Sequence, residues 1–410
     1  MSSIIRLLGS GWRLGLCMLI WLLILPYSTP IIAQSPPLVV TYLDGDSLFV
    51  WQPRTEPRIL AKGGFLAHPL IAPDASRVIF LRDDVLWIAS LNPTEKPATM
   101  LVKPETLDSD LSRRVLEMVW LDTRTVIFNT YRYMPKLLVQ QQIADDLWQV
   151  DVETDSVSRL REDRQGGAFS ISPDGQHIAL VRPGDYASNQ PGSIDVVDKQ
   201  AKTPVRLLDY PFVTTGASTQ FYPQVEWASD SQALYVAIPD PNLVYKTENV
   251  PPTVLWQLSV TGQAVRLGGV QADFFGLPRF SVDGKFILYA RRIGTPKENQ
   301  LALLRANSDG SGEREIVRDT IGELEPAQWI LNTDNYTFVH GNPGEVWIAA
   351  NDQHRLTSNL VFTLQWADPQ IYIYQTSIGS VGEVRYSANN VSQKIVACTA
   401  CGDFDVHHAP

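Results

Sequence analysis

An all-β fold, specifically a β-propeller of four-stranded antiparallel blades, is what the sequence predicts. Three observations carry that prediction. A hairpin pattern such as "SISPDGQHIALV" (Ser170–Val181) returns about every fifty residues. A second pair of short strands follows each return. No Pro/Ser linker, low-complexity tract or shift in composition divides the chain into modules.

The hairpins come first. They are "LIAPDASRVIFL" (Leu70–Leu81), "MVWLDTRTVIFN" (Met118–Asn129), "SISPDGQHIALV", "VEWASDSQALYV" (Val225–Val236), "RFSVDGKFILYA" (Arg279–Ala290), "QWILNTDNYTFV" (Gln328–Val339) and "LQWADPQIYIYQ" (Leu364–Gln375). Each is an apolar or aromatic run, a polar turn, and an alternating or apolar run. Asp-Gly and its substitutes tolerate the positive φ of tight turns. The β-branched and aromatic flanks read as strands. There are seven copies.

The second pair recurs from "SLFVWQPRTEPRIL" (Ser47–Leu60) to "EVRYSANNVSQKIV" (Glu383–Val396), in eight copies. Four strands in about 35–57 residues is the arithmetic of a propeller blade. A large β-sandwich also shows short strands at regular spacing, but nothing in it requires self-similarity at the four-strand level. The first module, "LVVTYLDGDSLFVWQPRTEPRIL", lacks an innermost strand, and "CGDFDVHH" (Cys401–His408) lies beyond the last repeat. A closing strand from the C-terminus makes eight blades, the preferred count. Seven blades with an irregular N-terminal module is the rival.

Residues 1–33 are expected to be a signal peptide. Arg6 and Arg13 form a basic region, Leu14–Leu25 is an apolar core, Pro26 ends it, and Ala33 is a plausible cleavage position. The core is shorter than the roughly 20 residues of a spanning helix, so an uncleaved anchor is the weaker reading. Cys17 lies inside the core, which disfavours a lipoprotein. Residues 34–410 are then one exported propeller domain, periplasmic or extracellular.

The net charge of −10 is spread along the chain, which suits solubility. No basic cluster points to nucleic acid or anionic lipid. Only Cys398 and Cys401 remain after cleavage, so the fold rests on its hydrophobic core.

"FSISPDGQHIALV", "RFSVDGKFILYA" and "LLRANSDGSGEREIV" resemble the repeat of TolB-type propellers, a WD40-like Asp-Gly repeat. The resemblance covers nearly all of the exported chain and is sharpest in two repeats. It implies blades in which the Asp caps the turn, the Gly gives it its hand and the apolar residues pack between neighbours. It implies no catalysis, since fold transfers architecture and not activity. TolB-like members dock proteins in the cell envelope, which suggests a binding role here. Prolyl-oligopeptidase-type enzymes share the repeat, but this chain has no Gly-x-Ser-x-Gly elbow. "SPDGQHI" and "SVDGKFI" also lack the spacing and Trp of a sialidase box.

Cys398, Cys401, His407 and His408 resemble a zinc set. A local disulfide is preferred, because the chain is exported and adjacent histidines on a strand point to opposite faces. "YLDGDS" and "NSDGSGE" lack the ligand series of a calcium loop and read as turns. The six histidines give no catalytic constellation; His68 enters an innermost strand and either faces the channel or sits on the surface. Trp87, Trp148, Trp256 and Trp347, and likewise Trp120, Trp227, Trp329 and Trp366, recur at repeat positions and are expected in packing. Long b–c connections, Asn129–Asp146 and Ile238–Thr253, are better placed for function. Arg132, Tyr133, Tyr245 and Lys246 are the candidate binding residues on them. The expectation is a monomeric scaffold without cofactor or metal that binds a protein or peptide in the envelope through its channel mouth and long loops. A propeller lyase or hydrolase acting on a polysaccharide or small ligand is the alternative. A degenerate sensor or structural propeller is a third reading.

Overall fold

The computed structural model describes residues 38–408 apart from short stretches (93, 95–96, 135–140, 186–187, 189, 217–219, 247–249, 295–299, 321–326, 331–332, 342–344, 350–352, 356–360, 379–380 and 389–390). The segment read as a signal peptide and parts of both long connections lie outside the described residues.

The fold is a nearly all-β propeller of four-stranded antiparallel blades. The strands of each sheet are lettered a to d from the channel outward. Seven sheets are built from consecutive strands. Sheet 2 is Leu66–Ile71, Arg77–Arg82, Val85–Ser90 and Thr99–Met100. Sheet 3 is Arg113–Trp120, Thr125–Tyr133, Leu147–Asp151 and Ser156–Arg161, with Gln141–Ile143 added to its b strand. Sheet 4 is Ala168–Ile171, His177–Arg182, Gly192–Asp198 and Val205–Tyr210. Sheet 5 is Val225–Trp227, Ala233–Ile238, Thr253–Ser259 and Ala264–Val270. Sheet 6 is Arg279–Phe280, Phe286–Ile293, Gln300–Asn307 and Arg314–Thr320. Sheet 7 is Gln328–Trp329, Tyr336–His340, Glu345–Ala349 and Gln353–Arg355. Sheet 8 is Val361–Asp368, Ile371–Ile378, Val381–Ala388 and Val391–Cys398.

Each of the seven hairpins read from the sequence opens one of these sheets. Sheet 1 is composite: Leu38–Asp44, Ser47–Trp51 and Arg58–Lys62 take their a strand, Cys401–His408, from the far end of the chain. Its register pairs Leu38 with His408 and Tyr42 with Phe404.

The repeat works locally as its residues suggest. In "SPDG" the Asp174 carboxylate accepts from the backbone N–H of Gln176 at 3.0 Å and from the Ser172 hydroxyl at 2.6 Å. Ser172 Oγ in turn accepts from His177 N–H. Ser281 and Asp283 repeat the arrangement with Lys285 and Phe286. The residue after the Asp takes a positive φ, 67° at Gly175 and 68° at Gly284, which glycine adopts without a Cβ clash.

The core is distributed between sheets. One buried cluster joins sheets 2 and 3 through Leu86, Val115, Phe128 and Trp148; another joins sheets 5 and 6 through Tyr235, Leu255, Phe280 and Tyr289. Further clusters join each remaining pair of neighbours, the last bringing Ile373 and Val384 of sheet 8 against Val40, Tyr42 and Trp51 of sheet 1. The a-strand tryptophans also stitch neighbours by hydrogen bonds. Trp120 Nε1 donates to Leu70 O, Trp227 to Ser170 O and Trp329 to Arg279 O, each within 3.3 Å. A buried indole N–H thereby finds its acceptor in the preceding sheet.

The a strand of sheet 1 touches both neighbours. Asp405 accepts from Ile71 N–H of sheet 2 at 2.7 Å and from Gln365 Nε2 of sheet 8 at 3.0 Å. The ring is closed by that contact.

Candidate functional site

Two regions of the ring present chemistry: the channel, and the face carrying the b–c and d–a connections. In an antiparallel four-stranded blade both kinds of connection leave from the same end, and the a–b and c–d turns from the other.

The channel holds a cavity of about 1300 Å³. The a strands of sheets 1, 2, 3, 7 and 8 line it, with His68, Glu117, Trp329, Phe362, Trp366 and Asp403 among the contributors. Four of these side chains, His68, Glu117, Phe362 and Asp403, stand where their a strand slips register. The a strand of sheet 2 slips register between Ala67 and Leu70, where His68 has a φ of 49°. The a strand of sheet 3 slips between Val115 and Met118, at Glu117. A bulge leaves its extra residue unpaired and re-aims the side chain. Asn129, fully buried, holds the second bulge: its Oδ1 accepts from Glu117 N–H at 2.9 Å, and its Nδ2 donates to Glu117 Oε2 at 3.3 Å and to Gly167 O at 3.1 Å.

The Glu117 side chain is exposed to the cavity; partial desolvation there pushes its pKa up, and the Asn129 bond and nearby His68 pull the other way. His68 Nδ1 lies 3.2 Å from Asp403 Oδ2, which also accepts the His68 backbone N–H. Asp405 is pushed up by burial despite its hydrogen bonds. His407 is pushed down by burial, with Asp405 opposing. His408 turns to Asp368, Nδ1 to Oδ2 at 2.9 Å. Farther round the ring, Glu226 accepts from Phe280 N–H at 2.9 Å and lies 3.6 Å from Arg279; burial raises it to about 7.

On the loop-bearing face, the connection between sheets 4 and 5 ties several sheets together. Tyr222 OH donates to Asp145 Oδ1 of sheet 3's b–c connection at 2.9 Å. Phe221 packs on Phe274 of the next connection, ring centroids 6.0 Å apart. Thr214 N–H donates to Pro241 O. Asp145 is raised to about 6, chiefly by burial. It stands at a φ of 49°, a conformation that costs a non-glycine residue free energy. Beside it, buried Arg113 and Asp146 pair at 2.5 Å, and Asp146 also accepts from Thr130 N–H and Trp148 Nε1.

The sequence-selected residues lie on this face. Tyr133 and Tyr245 are exposed, and so is Lys246. Tyr245 ends a short 3-10 turn, Leu243–Tyr245. Arg132 is half-buried and engaged within the protein, 3.2 Å from Asp108 and 3.6 Å from Asp163. The two pairs sit on sheets 3 and 5, with sheet 4 between them. Sequence reasoning missed Glu117, Asp403 and Glu226. It also missed the exposed Phe65 (70%), Phe275 (74%) and Phe362 (61%). The only available signal was a charged residue interrupting an apolar a strand, as in "RRVLEMVW".

Cys398 and Cys401 are placed as a disulfide, Cα atoms 5.5 Å apart, where the d strand of sheet 8 turns into the a strand of sheet 1. Among the described residues, no group of three or more His, Cys, Asp or Glu is placed to hold a metal ion. "YLDGDS" and "NSDGSGE" form turns: Asp44 accepts from Thr399 and Ala400 N–H, and Asp309 from Ser311 N–H.

No family model matches the sequence, and no curated protein matches it. Solved structures do match in fold. A eukaryotic initiation factor aligns with 92% of this chain and 100% of its own, at 10% identity and a TM-score of 0.52. Prolyl oligopeptidase B from Galerina marginata aligns with 83% of this chain at 10% identity and a TM-score of 0.55; the match spans about half, 51%, of that enzyme. TolB from Acinetobacter baumannii aligns with 90% of this chain and 66% of its own, at 11% identity and a TM-score of 0.38, a likeness too distant to bear on function. The likeness to the first two is one of fold alone.

Proposed function

We propose that this chain is an exported docking scaffold that binds a protein partner of the cell envelope through its b–c and d–a face. One observation carries the reading. The exposed aromatic side chains among the described residues, Phe65, Tyr133, Tyr245, Phe275 and Phe362, all belong to that end of the ring. The opposite end presents the Asp-capped turns instead. Aromatic side chains gathered on one face supply contact area at low entropic cost, as protein interfaces require. A propeller supports them rigidly, so little ordering is lost on binding.

A second reading has its own observation. His68, Asp403 and Glu117 converge on the channel mouth, as the acid–base groups of a lyase or hydrolase would. Among the described residues no lysine or arginine lines that cavity. A developing anion would therefore meet only imidazoles and neutral donors, which favours docking.

Crosslinked affinity capture with the protein, read by mass spectrometry, tests the proposal. A stoichiometric partner is expected for the wild type and for a Lys285→Ala control on the far end. The Tyr245→Ala/Phe275→Ala variant is expected to lose it. No partner for the wild type, or equal capture by the face variant, would overturn the reading.

A further inference from the structure

The Cys398–Cys401 bridge spans the connection from sheet 8 to sheet 1, so it lies on the end of the ring that carries the b–c and d–a connections. As a staple it does little there. It closes a very short loop, for which the loss of chain entropy is small. The turn inside it is also held by other means. Asp44, at the facing b–c turn of sheet 1, accepts from Thr399 N–H at 3.0 Å, from Thr399 Oγ1 at 3.1 Å and from Ala400 N–H at 3.0 Å. Gly45 N–H donates to Ala400 O at 3.0 Å. These bonds, with the ladder between Leu38–Asp44 and Cys401–His408, hold the closing strand independently of the sulfur–sulfur bond.

The two cysteines are placed differently. Cys398 is 3% exposed, within the core between sheets 8 and 1. Cys401 is partly exposed and lines the channel cavity. Gly382, opposite Cys398 in the c–d ladder of sheet 8, makes room for the pair. A Cβ there would stand 2.8 Å from Cys401 Sγ and 3.5 Å from Cys398 Sγ. An accessible bridge that the fold does not rely on is of the labile kind, open to thiol exchange.

We propose that Cys398 and Cys401 form a redox-active pair, a thiol-exchange site entered from the channel at Cys401. An incoming thiolate attacks Cys401 Sγ; the bond to Cys398 breaks and a new S–S bond joins the thiol to Cys401. Cys398 leaves as a thiolate and takes up the proton that the incoming thiol released. A second thiol then attacks the sulfur of the bound group, frees Cys401 as a thiol and departs with that group as a disulfide. The pair has then gained two electrons and two protons. Run in reverse, the dithiol reduces a disulfide delivered to the channel mouth. The substrates are therefore thiols and disulfides, and the site stands whether or not the docking reading does.

Graded dithiothreitol on the folded protein, followed by iodoacetamide and mass spectrometry, reads the state of the pair. The bond is expected to open without denaturant, and the reduced protein to keep a cooperative thermal melt. Single variants locate the entrance. With oxidised glutathione, Cys398→Ser is expected to form a mixed disulfide through Cys401. Cys401→Ser is expected to react about tenfold more slowly, since buried Cys398 waits on local opening. Wild-type protein exposed to reduced glutathione and quenched with acid gives the same information without a variant: fragmentation should place the trapped adduct on Cys401. A bond that resists dithiothreitol until denaturant is added would overturn the proposal. So would glutathione carried as readily by Cys398 as by Cys401, or a melt that loses its cooperativity on reduction, which would make the bridge a staple.

Discussion

Asp174, Asp283 and the a-strand tryptophans were legible before any coordinates because they recur. A turn that needs a carboxylate over an N–H, and an indole that needs a carbonyl next door, imposes the same residue once per repeat. Glu117 and Glu226 occur singly, so no periodicity announces them. Nor does a visible residue encode the bulge that aims Glu117. Burial gives Glu226 a testable signature. Its carboxyl is raised from 4.5 to about 7, so the native state favours the protonated form. Its contribution to stability is fully present below about 4.5 and is lost as pH rises through about 7. Glu226→Gln removes that dependence while keeping an acceptor for Phe280 N–H. Melting both proteins from pH 4 to 8 should show the wild type losing ground to the variant across that window, by on the order of 2 kcal/mol. A constant difference would mean that Glu226 ionises as an ordinary carboxyl.

Among elements, the strand Cys401–His408 has the largest consequence. It was legible as a supernumerary segment beyond the last repeat, and its partner as a module missing one strand. Its side chains were harder to read. "CGDFDVHH" looks like a metal or surface tail, whereas alternation sends Asp403 and Asp405 to neighbouring a strands. The Cys398–Cys401 bridge closes a very short loop, so replacing both cysteines with serine should cost only about 2 kcal/mol by loop entropy. Truncation after Ala400 removes the pairing with Leu38–Asp44 and the contacts to sheets 2 and 8 together. Chemical denaturation should show a small midpoint shift for the double serine variant and loss of cooperative unfolding for the truncation. Similar, small effects would mean that the strand merely decorates the ring.

At the scale of the whole molecule, the ring makes sequence order secondary to spatial order. Repeat counting revealed the sheets and their neighbours, while the channel's polarity and the gathering of aromatics on one end depended on where the connections emerge. Leu38 pairs with His408, so a two-residue Asn-Gly turn can join them. A circular permutant that places residues 401–408 ahead of Leu38 and ends at Ala400 turns sheet 1 into consecutive strands. It should fold with a melting temperature within a few degrees of the parent, since tight turns of this kind suit antiparallel hairpins. Failure to fold would mean that the native order of the ends matters beyond their contact.

The composite sheet also sets a timetable for synthesis. The strand Leu38–Asp44 is made before every other described strand, and its inner edge stays unpaired until residues 401–408 appear. Until then the growing chain carries an open, apolar edge of the kind that recruits other strands, together with a contact of extreme sequence separation still to be made. A product that stops before residue 401 retains all seven hairpin repeats and still lacks the strand that completes sheet 1.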